Sequence, residues 1–205
     1  MYGSFPSGFY YDLTAVRESG DFGRDTIAAW GGHVKSGWKF AELPGKPELS
    51  FEYSYASGDG DPEDGRRKTF SGVFGSRDKM YGRINLFDWR NLKNSQFNLE
   101  ISPLPKLSLL AEFHDFKLAE KRDGWSLNPS LYRDPSGAAG DEVGRELDLI
   151  ATWETSITGK AFAGRLTVQL GACRFWAGNF AQKVAADKNA NWFFCQLQYR
   201  IDIQP

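Results

Sequence analysis

One stretch decides the fold class: Phe193-Phe194-Cys195-Gln196-Leu197-Gln198-Tyr199-Arg200-Ile201-Asp202-Ile203. Its apolar residues recur at every second position from Cys195 to Ile203, and polar residues fill the positions between them. A period of two places successive side chains on opposite faces of a β-strand, whereas a helix would scatter them around its axis. The stretch therefore predicts a strand with one apolar face and one polar face.

The same alternation recurs upstream, so we expect eight strands in all. The other seven stretches are Phe9–Glu18, Ala28–Phe40, Leu49–Ala56, Gln96–Ser102, Lys106–Asp115, Glu146–Ile157 and Arg165–Cys173. Nothing between them has the composition of a linker, which predicts a single domain over residues 1–205.

The connections between these stretches alternate in length. Short turns are expected at Glu42–Pro47, Pro103–Lys106 and Ser156–Gly164, and longer connections at Glu18–Asp25, Ser57–Met80, Leu118–Gly144 and Gly178–Ala190. Short turns on one rim and long loops on the other are typical of outer-membrane barrels. The loops at Ser57–Met80 and Leu118–Gly144 should lie on one rim, opposite the turn at Pro103–Lys106.

Composition excludes several classes of protein. The 205 residues include 25 Lys and Arg against 26 Asp and Glu, a net charge of −1 that does not fit a generally basic nucleic-acid binder. Two cysteines and two histidines without ligand spacing indicate neither a disulfide scaffold nor a zinc site. Cys173 and Cys195 differ in parity, so we expect free thiols on opposite faces of the sheet.

Alternation alone leaves open which face points inward, because a soluble lipocalin-like barrel also alternates. Two features favour lipid on the outside. The apolar face is almost free of charge, and aromatic residues such as Trp38, Trp153 and Tyr199 lie near strand ends, as in membrane girdles. Leu147, Leu149, Ala151, Leu197 and Tyr199 should then point outward, with Asp148, Thr152, Gln196 and Gln198 pointing inward.

The segment Glu52–Phe70 reads Glu-Tyr-Ser-Tyr-Ala-Ser-Gly-Asp-Gly-Asp-Pro-Glu-Asp-Gly-Arg-Arg-Lys-Thr-Phe. It resembles the strand-to-loop signature of the alginate-export family of outer-membrane porins. Further matching motifs follow in the same order: Trp89-Arg90-Asn91, Ser102–Leu109, His114-Asp115-Phe116, Arg122-Asp123, Arg133–Gly140, Val143–Asp148 and Tyr199-Arg200. The resemblance is strong from about residue 48 onward and weak before it.

This resemblance implies an all-β, antiparallel transmembrane β-barrel of about 18 strands that exports alginate through a charged lumen. With about eight strands, the chain is expected to be the C-terminal part of such a barrel. It departs from the family by lacking a signal peptide and by ending in Ile201–Pro205 instead of an aromatic residue. The partial length and the missing signal peptide suggest a fragment or a truncated product. The C-terminal ending differs from the one that the barrel-insertion machinery normally recognises.

Charged residues of the polar face are the candidates for the substrate path. They are His33, Lys35, Lys39, Glu52, Glu100, Glu112, His114, Asp148, Glu154, Arg165 and Arg200. They either line a conduit or pair into a salt-bridge lattice that rigidifies the lumen. Arg66 and Arg67 follow an acidic loop and would attract a uronate polymer, since guanidinium groups match carboxylates, or would pair with the nearby aspartates.

Asp59, Asp61 and Asp64 form a weak candidate calcium site, because carboxylate oxygens cluster there without the EF-hand spacing. The alternative is a solvated loop with Asx turns that folds inward to gate the pore. His114 and Asp115 do not form a catalytic dyad, since neighbours on a strand point to opposite faces. We therefore expect no enzymatic activity and no cofactor.

The function expected from these features is a passive outer-membrane conduit for an anionic, alginate-like polysaccharide. Its partners would be membrane lipid and the rest of a larger barrel or other chains, and not nucleic acid. A porin-like channel for small solutes is one alternative. Another is a small closed barrel of eight strands with a structural or adhesive role, whose filled interior would conduct nothing.

Overall fold

A computed structural model gives the structure of residues 1–72, 81–127, 130–157, 163–185 and 188–201. Within these ranges, eight long strands form one antiparallel sheet, and four short strands and one helix accompany them. The long strands are β2 (Phe9–Phe22), β3 (Asp25–Lys39), β4 (Glu48–Ala56), β6 (Leu92–Leu104), β7 (Leu107–Leu118), β10 (Glu142–Ile157), β11 (Gly164–Ala177) and β12 (Ala190–Ile201). The short elements are β1 (Tyr2–Ser4), β5 (Arg66–Arg67), β8 (Gly124–Leu127), β9 (Ser130–Arg133) and α1 (Asn179–Val184).

No helix within the described ranges combines the length and the apolar character that crossing a membrane requires.

The long strands pair strictly in sequence order, so each neighbour along the chain is also a neighbour in the sheet. The connection from β4 to β6 and the connection from β7 to β10 therefore lie on one rim. The turn between β6 and β7 lies on the other, as predicted. We call these the long-loop rim and the short-turn rim.

The predicted connection Glu18–Asp25 is wrong, because β2 and β3 continue past it as a paired hairpin. Phe22 pairs with Asp25, which leaves only Gly23 and Arg24 in the turn. Gly23 has a φ of 66°, a conformation that glycine adopts without steric cost, so the chain reverses within two residues. The Gly- and Asp-rich composition of this stretch marks the turn and not a long loop.

The two faces of the sheet have the environments that the alternation predicts. Apolar side chains of one face are strongly exposed: Phe97 is 56% exposed, Leu149 51% and Leu197 70%. The opposite face contains buried polar side chains such as Glu112 and Asp148, and the connections of the long-loop rim cover it. We call these the outer face and the inner wall. A lipocalin-like barrel would bury the apolar face, so that alternative is wrong.

The sheet is an open wall within the described residues. Its order runs from β1 and β2 at one end to β12 at the other, and these ends do not pair. The small closed ring of eight strands requires β2 to pair with β12, so this arrangement does not support it. The fold remains an all-β, barrel-type sheet with two free edges.

Candidate functional site

The inner wall is built from rungs that cross the sheet in register. One rung joins Lys35, Glu52, Gln96, His114 and Glu146 across β3, β4, β6, β7 and β10. Directly opposite residues on one face stand about 5 Å apart, so these polar side chains interact across strand boundaries. The predicted lumen residues of these central strands are thereby brought onto one surface.

Glu52 is the centre of a polar network on β3, β4 and β6. Its carboxylate accepts hydrogen bonds from Lys35 Nζ at 2.7 Å and from Asn98 Nδ2 at 2.8 Å. His33 Nε2 lies 3.8 Å from the same carboxylate, while His33 Nδ1 lies 2.9 Å from Ser54 Oγ. Lys35 and Glu52 therefore form an ion pair with His33 beside it, while the conduit and the salt-bridge lattice both stay predictions for the whole set.

Residues 81–91, which we call the inner loop, fold against the inner wall. The Arg83 guanidinium donates to Glu112 Oε2 at 2.7 Å, and the Arg83 backbone N–H donates to Asp148 Oδ2 at 3.1 Å. The next amide, of Ile84, donates to Glu146 Oε1 at 2.8 Å. Three carboxylates of β7 and β10 thus hold one loop segment against the inner wall.

His114 lies beneath this attachment and is 1% exposed. Its Nδ1 is 3.3 Å from Asn94 Oδ1, its Nε2 is 3.9 Å from Asp148 Oδ2, and its ring stacks on Phe116. Asp115 lies on the outer face, where Arg145 and Lys117 contact it. The structure therefore separates His114 from Asp115, as strand geometry predicts, and buries His114 behind the inner loop.

The inner loop continues into an aromatic cluster at the long-loop rim. The Phe87 ring stacks on Phe116 with ring centres 3.7 Å apart, and it also contacts Trp125 and Phe175. Trp125 Nε1 donates to the Leu86 carbonyl, which fixes the loop to the β8–β9 hairpin. This half of the inner wall is packed like a protein core.

The half of the inner wall near the short-turn rim is open and polar. Arg165 and Arg200 face each other in register on β11 and β12, and both are exposed. Lys39 pairs with Glu48, Glu100 accepts a hydrogen bond from Ser108, and the carboxylate of Glu154 is 3.4 Å from Thr167 Oγ1. These candidates share the inner wall with His114 but lie on rungs nearer to the short turns.

Arg66 and Arg67 are not part of the wall. They form β5, which pairs in parallel with Thr26 and Ile27 near the tip of the β2–β3 hairpin. The Arg67 guanidinium lies 4.2 Å from the centre of the Phe22 ring. Both side chains are exposed at the long-loop rim. Their partners on β3 lie at least eight residues from Lys35, the residue of β3 that pairs with Glu52.

The acidic loop uses its carboxylates to bind backbone amides. Asp59 Oδ1 accepts from the N–H of residue 61, Asp61 Oδ1 from that of residue 63, and Asp64 Oδ1 from that of residue 66. Lys68 Nζ contacts Asp64 at 2.5 Å, and this hydrogen bond lowers the pKa of the carboxyl. Within the described ranges no group of three or more His, Cys, Asp or Glu side chains has the geometry for a metal ion. The hydrogen bonds from residues 61, 63 and 66 make this loop a series of Asx turns.

Both thiols are free, as expected from their parity. Cys173 is buried on the inner wall opposite Asp148, and Cys195 is exposed on the outer face.

Sequence reasoning did not identify Arg83 or Glu146 as candidates. Glu146 has the same parity as Asp148 on β10, so its inward direction could have been predicted from the alternation. Arg83 lies in an irregular connection, where no periodicity indicates which wall a side chain will meet. Gly82, with a φ of 80°, and Asn85, with a φ of 66°, mark the tight turns at this place.

The model of the alginate export family matches residues 1–196. The chain belongs to the alginate export family. The match includes the first 47 residues, where the motifs alone are weak, so the whole described sheet up to the middle of β12 is family sequence. Among curated protein sequences none matches the chain. Family and architecture together make this an antiparallel sheet of an outer-membrane transport barrel.

Proposed function

We propose that the chain forms part of the wall of an outer-membrane conduit through which an anionic polysaccharide is exported. The single observation that carries this proposal is the pairing of an exposed apolar outer face with a charged inner wall on one sheet. A membrane-spanning strand needs such a division, since every second side chain contacts lipid and the others contact the lumen.

The polymer would first meet the cations of the short-turn rim. Arg165 and Arg200 lie directly opposite each other, and like charges in this position repel unless an anion lies between them. A uronate carboxylate fits this gap because a guanidinium binds it with two parallel hydrogen bonds. The nearby carboxylate of Glu154 weakens the contact, so that the polymer is released and moves on.

Further along, the inner loop sets the width of the passage. The wall at this level is acidic, with Glu112, Glu146 and Asp148 close together, and the Arg83 guanidinium offsets part of that charge. A bare acidic wall would repel a polyanion. The loop therefore narrows the conduit and also lowers the negative charge that the polymer meets.

Strands that pair with the free edges of β2 and β12 would complete the wall. Their source is either another part of a longer polypeptide or other chains. A channel for small solutes has the same polar wall, and the two functions differ in whether the short-turn rim recognises a charged polymer.

Binding of a labelled oligouronate to the full 205-residue chain, refolded in detergent, tests the proposal by fluorescence anisotropy. The variant Arg165→Gln/Arg200→Gln should bind about fivefold more weakly, since two exposed charge contacts contribute about 1 kcal/mol together. The matched control Arg145→Gln/Arg174→Gln removes two arginines from the outer face and should bind as the unmodified chain does. Equal affinities of the two variants, or equal binding of a neutral oligosaccharide, would contradict the proposal.

A further inference from the structure

The charges of the outer face are confined to the long-loop rim. Register places five cations there, and they are Arg17, Lys93, Lys117, Arg145 and Arg174. The acids that share this face are Asp21, Asp115 and Glu142. Toward the short-turn rim, the described strand residues of the outer face are uncharged and mostly aliphatic or aromatic. The outer face therefore has one charged boundary and one uncharged boundary.

Aromatic side chains mark both boundaries of the apolar band. On β3, Trp30 and Trp38 are eight positions apart, and on β10, Arg145 and Trp153 have the same separation. Eight residues span about 26 Å of strand, which a tilt of about 40° reduces to about 20 Å of height, comparable with the apolar band of an outer-membrane barrel. Arg145 is thus as far from Trp153 on β10 as Trp30 is from Trp38 on β3.

From β3 to β10 both boundaries of the apolar band shift by the same number of residues toward the short-turn rim. Trp38 lies on the rung of Leu149. Trp153 of β10 is therefore four residues nearer to the short-turn rim than the rung of Trp38. By the same pairing, Arg145 is four residues nearer to the short-turn rim than the rung of Trp30. Both offsets amount to about one residue for each strand crossed. Because barrel strands are tilted, residues at one depth in the membrane are staggered by about this amount from strand to strand. The cations therefore follow the membrane surface.

Lys93 and Lys117 are directly opposite each other in the centre of this row. Like charges in this position destabilise a sheet unless an anion lies between them. Lys117 Nζ is 3.5 Å from Asp115, whose carboxylate also accepts a hydrogen bond from Arg145 at 3.1 Å. Among the described residues Lys93 has no ion-pair partner, so the row carries more positive charge than its own acids offset.

We infer that this row binds the phosphate groups of glycolipids in the outer leaflet of the outer membrane. Those phosphates lie on sugars at the boundary between the apolar chains and water, which is the level of Lys93, Lys117 and Arg145. Basic side chains at this depth bind anionic headgroups, and a phosphate between Lys93 and Lys117 removes their repulsion. The stacked rings of Trp30 and Tyr55, 4.3 Å apart, lie beside the site at the height where amphipathic rings prefer the interface. The inference concerns the outer face and does not depend on what passes the inner wall.

Native mass spectrometry of the full chain, refolded in detergent and titrated with bisphosphorylated lipid A, tests this site. Lipid A should bind, whereas lipid A without phosphates and phosphatidylglycerol should bind much more weakly. The variant Lys93→Gln/Lys117→Gln should bind lipid A on the order of tenfold more weakly. The variant Lys93→Arg/Lys117→Arg keeps both charges and should retain binding.

The matched control Lys39→Gln/Lys106→Gln removes two lysines from the short-turn rim and should leave lipid A binding unchanged. Circular dichroism of each variant shows that it has folded before binding is compared. Equal binding of dephosphorylated lipid A, or an unchanged affinity of the Lys93→Gln/Lys117→Gln variant, would overturn the inference. Phosphatidylglycerol bound as tightly as lipid A would show a general anionic-lipid surface and would also overturn it.

Discussion

Arg83 Nε lies 2.7 Å from Glu112 Oε2, which joins the inner loop to a strand 29 residues further along the chain. Both side chains are largely shielded from solvent. The adjacent backbone amides of Arg83 and Ile84 bind Asp148 and Glu146. This single turn of chain therefore contacts three carboxylates of the inner wall, and these contacts hold the loop against the wall.

Replacing Arg83 with Gln should lower the free energy of unfolding by about 3 kcal/mol, because the buried carboxylate of Glu112 then lacks its partner. Urea-dependent tryptophan fluorescence of the refolded chain measures this change. The double variant Arg83→Gln/Glu112→Gln should recover much of the loss, since it leaves no uncompensated charge. The control Arg145→Gln breaks an ion pair whose arginine is 63% exposed, and it should cost less than about 1 kcal/mol. A similar loss in both single variants would argue against a buried attachment.

Gly82 is required for the same attachment. A Cβ at this position would lie 2.5 Å from Glu146 Oε1, and the φ of 80° is unfavourable for other residues. Gly82→Ala should therefore displace the inner loop and raise its hydrogen exchange. Gly140→Ala is the matched control: its φ is 88°, but nothing lies within 4 Å of the added Cβ, so only the backbone cost of about 1 kcal/mol remains. Equal exchange of residues 81–91 in the two variants would contradict this role of Gly82.

The sheet could be predicted from the sequence because its information is local and periodic. Parity along β10 assigns Asp148 to the wall and Leu149 to lipid without any knowledge of other strands. The β2–β3 hairpin was misjudged because Gly and Asp occur both in long loops and in tight turns. The pairing of Phe22 with Asp25 in the structure shows that this stretch forms a tight turn and not a long loop.

The attachment of the inner loop could not be predicted in the same way. Arg83 and Glu112 meet through the packing of an irregular segment, and no spacing in the sequence encodes that contact. The charge of Arg83 has a partner only after the sheet has formed and the loop has folded back. The strand alternation therefore predicts the wall, whereas the contact between the inner loop and the wall becomes visible only in the folded structure.

The carboxyl group of Asp134 gives a prediction about pH. Its pKa is lowered by the hydroxyl of Ser136 and by the backbone amide of Ala139, which both donate to the ionised form. A lowered pKa in the folded state adds stability above the ordinary pKa of Asp, and this stability is lost as pH falls through the lowered value. The turn of residues 134–139 should therefore loosen only at strongly acidic pH.

Carbon-13 NMR titration of the Asp134 carboxyl measures this. Ser136→Ala should raise the pKa toward the ordinary value for Asp, because the largest stabilising hydrogen bond is removed. Ser130→Ala, in the same connection but outside this turn, should leave the titration unchanged. An Asp134 titration that does not respond to Ser136→Ala would show that the backbone amides alone lower its pKa.

The free edges of the sheet lead to a prediction about transport by the chain alone. β12 and the β1–β2 edge present unpaired backbone groups, and each such group costs several kcal/mol in the hydrocarbon of a membrane. A chain without partner strands should therefore close into a narrow ring, associate with other copies or fail to insert. In a narrow ring, Lys35, His114 and Arg200 would fill the interior and block a polymer.

Vesicles loaded with labelled polyuronate and a larger dextran should therefore retain the polyuronate when the purified chain is added. Release of the polyuronate while the dextran is retained would show that the chain transports without partner strands.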